Sequence, residues 1–199
     1  MASSLNLAEG LAASYILDPA RSRFLVRAYA GGMLAGFGHN PTIAIRRFSG
    51  EARFLAQSPE RSSLQFRIEA ASLVVTGDVN EKDRREMEHA MNEEVLETAR
   101  YPEITFESFH SQANQIAEGM YQMKIGGKLT LHGIARDIEI PSNVMVADDS
   151  LRAYGELAIR QTDYRIRLVS VAGGALKLKD ELKLSFDIAA RRKRDNENS

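Results

Sequence analysis

The chain has 199 residues, no cysteine and a formal net charge of −1 at pH 7. This length fits one large β domain or two small ones, and the lack of cysteine excludes disulfides, thiolate zinc sites and cysteine nucleophiles. The near-zero net charge argues against a molecule that is drawn as a whole to nucleic acid or to an anionic membrane.

Residues 1–14 predict an N-terminal extension that precedes the folded domain. They have neither the basic start nor the uninterrupted apolar core of a signal peptide, and no apolar run in the chain approaches the ~20 residues of a membrane helix. The chain as given is therefore predicted to be cytoplasmic and not stably inserted in a membrane. It is predicted to be periplasmic only if a signal peptide has been removed.

Several segments alternate apolar and polar residues with a period of two, which is typical of half-buried strands. Glycine, proline and Asn-Asp turns separate them, and together they predict one closed or sandwiched antiparallel sheet. The apolar rows are Phe24, Val26 and Ala28; Leu64, Phe66, Ile68 and Ala70; Tyr121, Met123 and Ile125; Ile138 and Ile140, ended by Pro141; and Leu182, Leu184, Phe186 and Ile188.

A glycine-rich segment, residues 31–41, resembles a phosphate-binding loop only superficially. Such a loop needs a helix after it, whereas Thr42-Ile43-Ala44-Ile45 is a β-type run. A flexible turn or a bulged strand is the better interpretation. His39 and Asn40 are the polar pair of this segment that we expect to contact the headgroup of a ligand.

Residues 80–98 break the strand period and predict a helix, since they are rich in Glu, Arg, Met and Ala. Met87, Met91 and Val95 form one apolar stripe on it. Asp78 or Asn80 is predicted to cap the start of the helix, and Tyr101-Pro102 to stop it. We expect this helix to lie over one end or side of the sheet.

No residue pattern predicts an enzyme or a metal site. His89 stands within a turn of Glu86 and Glu93 and could chelate an ion, but a solvated helix face explains this spacing equally well. His132 is predicted to be a hydrogen-bonded strand residue rather than a base. Residues 191–199 are polar and predict a disordered tail, whose basic start lacks the aromatic residues that nucleic-acid stacking would use.

Two motifs resemble those of the YceI-like family. One is Tyr101-Pro102 with Ile104, Thr105, Phe106 and Ser108, and the other is Gly-Lys-Leu-Thr-Leu-His-Gly at residues 127–133. Weaker matches stand in the same order along the chain: Tyr15-Ile16-Leu17-Asp18, Phe48-Ser49-Gly50, residues 71–76, Arg160 with Asp163-Tyr164, and Asp180-Glu181-Leu182.

The resemblance implies one domain, residues 15–190, folded as a lipocalin-like antiparallel β-barrel of about eight strands, with a helical segment covering one end or side. Two stretches depart from the family pattern. Arg165 stands where the family usually has Gly, and His39-Asn40-Pro41 differs from the usual residues. Arg160 and Asp163 are assigned to a structural ion pair or turn.

The resemblance also implies non-catalytic binding, sequestration or carriage of an isoprenoid lipid or isoprenoid quinone inside the barrel, in a stress-related role. Apart from such a lipid no cofactor is implied, and a homodimer is compatible with the sequence. Met87 and Met91 are expected to cover the cavity. The expected apolar lining is Phe24, Val26, Leu64, Phe66, Ile68, Ile104, Phe106, Met123, Ile125, Leu182, Leu184 and Phe186.

Two alternatives remain open on the sequence. One is an enzyme that acts on an amphiphile in the barrel, with His39 or His132 as its base. The other is a ligand-free interaction module whose barrel is fully packed. The absence of tryptophan and the small residues Ala28, Ala70, Ala153 and Gly155 in the apolar rows mildly favour a cavity.

Overall fold

The structure is a computed structural model that describes residues 12–31, 40–171 and 176–193. Its elements are β1 (Ala13–Leu17), β2 (Arg23–Arg27), β3 (Ala30–Gly31), β4 (Thr42–Ile45), β5 (Phe48–Phe54), β6 (Ser63–Glu69), β7 (Leu73–Thr76), α1 (Glu81–Ala90), β8 (Glu103–Ala117), β9 (Met120–Leu131), β10 (Ile134–Val146), β11 (Ser150–Arg160), β12 (Ser170–Val171), β13 (Leu176–Leu178) and β14 (Glu181–Arg192).

Eight antiparallel strands form a closed barrel in the order β1-β5-β6-β8-β9-β10-β11-β14, and β14 pairs back onto β1. At one end β2, β4 and β7 extend the wall, with β2 beside β14. Short strands β12, β13 and β3 form a separate small sheet. The predicted lipocalin-like barrel with one main helix is therefore confirmed. Closure gives each of these eight strands a hydrogen-bonded neighbour on both sides over at least part of its length.

The helix begins as predicted, because Asn80 Oδ1 accepts a hydrogen bond from the Asp83 backbone N–H at 3.0 Å. α1 continues as a π-helical turn, Met91–Val95, and so ends well before Tyr101-Pro102. Glu88 Oε1 accepts from the Val75 backbone N–H at 2.8 Å, which satisfies part of the edge of β7. The helix therefore seals the wall at this end of the barrel, which we call the helix end. Among the described residues, no helix has the length and apolar character needed to cross a bilayer.

Two strand boundaries differ from the prediction. β10 does not stop at Pro141 but continues to Val146. The Pro141 carbonyl points towards β11, and in an antiparallel strand the N–H of a residue points to the same side as its carbonyl. The N–H that proline lacks would therefore face β11, and no ladder is formed with β11 at this position, so Pro141 is tolerated. β14 extends through Arg191 and Arg192, which the sequence places in the tail, because Arg192 pairs with Tyr15 of β1.

The family motifs meet at the helix end. The Tyr101 ring lies against Gly133, so closely that a Cβ there would be 2.6 Å from Tyr101 Cε1. His132 and Gly133 have φ angles of 51° and 70° and form the turn between β9 and β10. The predicted strand position of His132 is therefore wrong, since Leu131 ends the strand. Its hydrogen bonding is as predicted, because Nδ1 donates to the Tyr164 carbonyl at 3.2 Å.

Arg160 pairs with Asp180 rather than with Asp163. The Arg160 Nε lies 3.0 Å from Asp180 Oδ2, and Asp163 belongs to a short 3₁₀ turn, Gln161–Tyr164. Arg165 follows that turn with a φ of 57°, a left-handed conformation that glycine adopts more easily. The departure from the family pattern thus falls at a position that does require positive φ.

The hydrogen bonds around Asp180 predict that the stability of the fold depends on pH. Its pKa is lowered chiefly by the hydrogen bond from the Thr162 backbone N–H, with further contributions from the Thr162 hydroxyl and Arg160. The Asp180 carboxylate is therefore protonated at a higher pH in the unfolded chain, at about 3.9, than in the folded chain. The stability that the ionised group contributes is present above that pH and is lost as the pH falls towards the lower pKa of the folded state.

We expect Asp180→Asn to lower the free energy of unfolding at pH 7 by about 1 kcal/mol, because it weakens charge-assisted hydrogen bonds. The difference from the wild type should shrink below about pH 4, where the unfolded wild-type chain takes up the proton first and the folded chain follows at lower pH. Urea denaturation at pH values above and below this range measures both effects. A difference that does not change with pH would contradict this role of Asp180.

Candidate functional site

The barrel encloses a cavity of about 600 Å³, within the size range of small-molecule sites. Its wall is almost entirely apolar because the inward rows of the strands converge on it. The structure places every residue of the predicted lining on this wall: Phe24, Val26, Leu64, Phe66, Ile68, Ile104, Phe106, Met123, Ile125, Leu182, Leu184 and Phe186. That these side chains contact a ligand stays a prediction.

The apolar face of the helix supplies one side of the cavity. Met87 and Met91 line it together with Val95 and Leu96, so the stripe that the sequence predicts does face inward. Met91 and Leu96 are each 8% exposed. Flexible Met side chains pack adaptably against irregular neighbours, which suits a wall that meets a variable apolar chain.

Burial along the strands shows that the interior is hollow. On β11 the inward residues Leu151 and Ile159, near the two ends, are buried, whereas Ala153 and Leu157 between them are only half-buried. Ile125 of β9 and Leu184 of β14 are also half-buried although they point inward. In a close-packed core such residues would be buried. The middle of the barrel is therefore not filled by its own side chains.

The end opposite the helix end is closed by packed side chains, and we call it the floor. Tyr15, Phe54, Tyr121 and Val144 are between 2% and 5% exposed there. The rings of Phe54 and Tyr121 have centroids 5.2 Å apart. Burial raises the pKa of Tyr15, so its phenol stays neutral at ordinary pH. The cavity therefore does not continue through this end of the barrel.

A cluster of phenylalanines builds one wall. Phe24 stacks on Phe66 at a centroid distance of 4.9 Å and on Phe186 at 5.9 Å. Phe48 packs behind them, 5.5 Å from Phe66, and is not part of the lining. On the adjacent strand β8, Phe106 is the cross-strand partner of Phe66 and lies over Gly127, where any side chain would collide with its ring. These rings offer flat apolar surface to whatever occupies the cavity.

Three buried polar residues of the wall direct their side chains at backbone carbonyls. Ser111 donates to the Glu60 carbonyl at 2.9 Å, and Gln161 Nε2 donates to the Lys179 carbonyl at 2.9 Å. Ser142, which is 6% exposed, lies 3.4 Å from the Ile140 carbonyl. With their hydrogen-bonding capacity directed at the backbone, these residues leave the cavity suited to an apolar chain rather than to a polar substrate.

The polar residues that the sequence singled out do not line the cavity wall in the described part of the chain. His39 lies outside the described residues, and Asn40 is exposed next to Pro41, which lines the cavity. A headgroup contact there stays a prediction. His132 is not on the cavity wall but packs on Tyr101 with a ring distance of 4.5 Å. His89 is exposed on α1, and the described part of the chain contains no cluster of three metal-ligating side chains.

The predicted lining leaves out the wall contributed by β11. Leu151, Ala153, Leu157 and Ile159 all line the cavity. Their alternation along the sequence is the signal that could have found them. Glu156 and Ala158 complete the period-two pattern on the outer face.

Solved structures share this fold at low sequence identity. BcnA of Burkholderia cenocepacia is 19% identical with a TM-score of 0.65, covering 87% of this chain and 98% of its own. A polyisoprenoid binding domain from Saccharophagus degradans is 14% identical with a TM-score of 0.62, covering 90% and 98%. The YCEI protein of Campylobacter jejuni is 18% identical with a TM-score of 0.58, covering 79% and 88%.

No curated protein sequence matches the chain significantly. The sequence profile of the YceI-like domain, however, matches residues 15–190, which is most of the chain and covers all or part of every strand of the barrel wall. The chain therefore belongs to the YceI-like family.

Proposed function

We propose that the protein binds one long apolar chain, that of an isoprenoid lipid or isoprenoid quinone, and sequesters or carries it without chemical change. The observation that carries this proposal is the hollow apolar interior, where inward side chains in the middle of several strands, such as Ile125, Leu157 and Leu184, are only half-buried. The related Saccharophagus degradans structure is described as a polyisoprenoid binding domain, which supports the same ligand class. We include a stress-related role in the proposal, and only the family resemblance supports it.

The energetics favour a long tail over a short one. Each buried methylene contributes about 0.8 kcal/mol of transfer free energy, but the tail loses torsional freedom on entering. At the ~0.3 kcal/mol per heavy atom of larger ligands, a tail of about twenty carbons gains ~6 kcal/mol. This corresponds to a dissociation constant of tens of micromolar. Longer tails that still fit the cavity should bind more tightly.

We expect affinity to rise with isoprenoid length. At ~0.3 kcal/mol per atom, each five-carbon unit should tighten binding by roughly tenfold until the cavity is full. Isoprenoid alcohols of about ten, fifteen and twenty carbons, competing against a fluorescent fatty probe, measure this slope. The acetate of the same alcohol, which changes only the headgroup, is the matched control and should shift affinity less. A flat length series would contradict binding of the tail.

Phe66 tests whether the wall serves binding or folding. Phe66→Ala should weaken binding of a twenty-carbon tail by about tenfold and cost ~1–2 kcal/mol of stability, because Phe66 is half-buried and faces the cavity. Phe48→Ala is the matched control. Phe48 is 8% exposed and packs behind the lining, so its loss should cost about 3–5 kcal/mol while changing affinity little. Fluorescence titration and urea denaturation separate the two effects; equal effects of both variants would argue for a packed barrel.

A further inference from the structure

The barrel wall is incomplete between β10 and β11. Backbone pairing of these strands runs from Val146↔Leu151 to Asn143↔Tyr154. Towards the helix end both strands continue, and each keeps its other neighbour: β10 pairs with β9 as far as Ile134, and β11 with β14 as far as Arg160. Along that stretch of the described strands, β10 and β11 form no pairs with one another. The ladder between these two adjacent barrel strands is thus interrupted along this stretch.

The sequence explains where the ladder ends. Pro141 lies two residues beyond Asn143, the last paired residue of β10 on that side, and has no N–H to donate. Its carbonyl crosses close to Gly155, and any side chain at Gly155 would collide with it. A residue that cannot donate and a residue without a side chain therefore stand together near the end of the ladder. Such a pair is typical of a place where strand pairing is interrupted.

A hydrogen bond closes the far side of the gap. Arg136 Nε donates to the Asp163 carbonyl at 3.1 Å, joining β10 to the turn that follows β11. The gap in the ladder is therefore bounded by the Asn143–Tyr154 pair at one side and by the Arg136–Asp163 hydrogen bond at the other. We call this unpaired stretch of wall, between residues 136–142 and 155–160, the side window.

The side window faces the apolar interior directly. Ile138 and Ile140 of β10 and Leu157 of β11 line the cavity along it, and all three are half-buried. The floor differs from it, because its side chains are packed. At the helix end Tyr164 and Ile166 are 2% and 3% exposed, whereas Pro41, Ile43 and Met87 line the cavity and are half-buried. Half-buried apolar side chains that are continuous with the cavity thus lie along the unpaired stretch of wall.

We propose that the side window is the passage through which an apolar tail moves into and out of the cavity. The inference rests on the proposed function and adds the route. Spreading β10 from β11 here breaks no ladder hydrogen bonds, because none are formed along this stretch. Opening the wall elsewhere would break paired strands, and displacing α1 would cost its hydrogen bond from Val75 N–H to Glu88. Local opening of a protein is easiest in the segment where the fewest hydrogen bonds must be broken.

A crosslink across the window tests this route. The native chain has no cysteine, so introduced thiols react alone. Glu139→Cys with Ala158→Cys places one thiol on each side, at exposed positions that would face one another if the β10–β11 register continued. Bis-maleimides of increasing length then tie the strands together. The matched control is Asn143→Cys with Tyr154→Cys, which links positions that are already paired.

Stopped-flow uptake and release of a fluorescent fatty probe, together with its equilibrium affinity, are the readouts. Linking the window should slow both uptake and release by at least about tenfold with little change in affinity, since a barrier changes both rates equally. Linking the control pair should change neither rate. Unchanged rates in the window-linked protein, at intact affinity, would overturn the route while leaving the proposed function in place. Absence of equilibrium binding in the unlinked protein would overturn both.

Two single variants test, without a crosslink, whether the tail passes through the side window or the helix end. Arg136→Ala removes the hydrogen bond that frames the window and should speed release by about threefold or more. Glu88→Ala loosens α1 at the helix end and should leave release unchanged. Faster release in Glu88→Ala but not in Arg136→Ala would place the passage at the helix end and overturn the inference.

Discussion

Closure of the barrel by the pairing of β14 with β1 is the constraint on which the rest of the structure depends. A closed ring of hydrogen-bonded strands has a circumference set by strand number and stagger, so it cannot contract when its side chains are too small to fill it. Small or absent side chains at Ala153 and Gly155 then leave space that neighbouring strands cannot take up. The cavity is thus a consequence of backbone geometry combined with side-chain volume.

Several residues of the family motifs hold the barrel together, whereas others, such as Ile104 and Phe106, line its cavity. Tyr101 packs on Gly133, and His132 hydrogen-bonds to the carbonyl that precedes Arg165. Asp180 accepts from Arg160 and from Thr162. These contacts fix the helix end, where three separate parts of the chain meet. They carry no information about the ligand, which depends on apolar residues that many sequences could supply.

Sequence periodicity predicted five of the strands, β2, β6, β9, β10 and β14, with their inward rows, because alternation in a half-buried strand depends on local residue choice. What it missed depends on neighbours. Pro141 ends a strand only where its N–H is needed, and here no β11 ladder requires one. His132 was misplaced because the turn follows from its packing against Tyr101 and Tyr164. The hollow interior also depends on ring closure, which no single strand encodes.

Mass spectrometry of an organic extract from the purified protein, taken without any delipidation step, tests the central claim most directly. A filled cavity predicts an isoprenoid lipid or isoprenoid quinone in stoichiometric amount, because an apolar cavity of about 600 Å³ retains a long tail against water. An empty extract, together with no uptake when such lipids are offered, would contradict the account. That result would indicate a barrel that packs its interior in solution and acts through its outer surface.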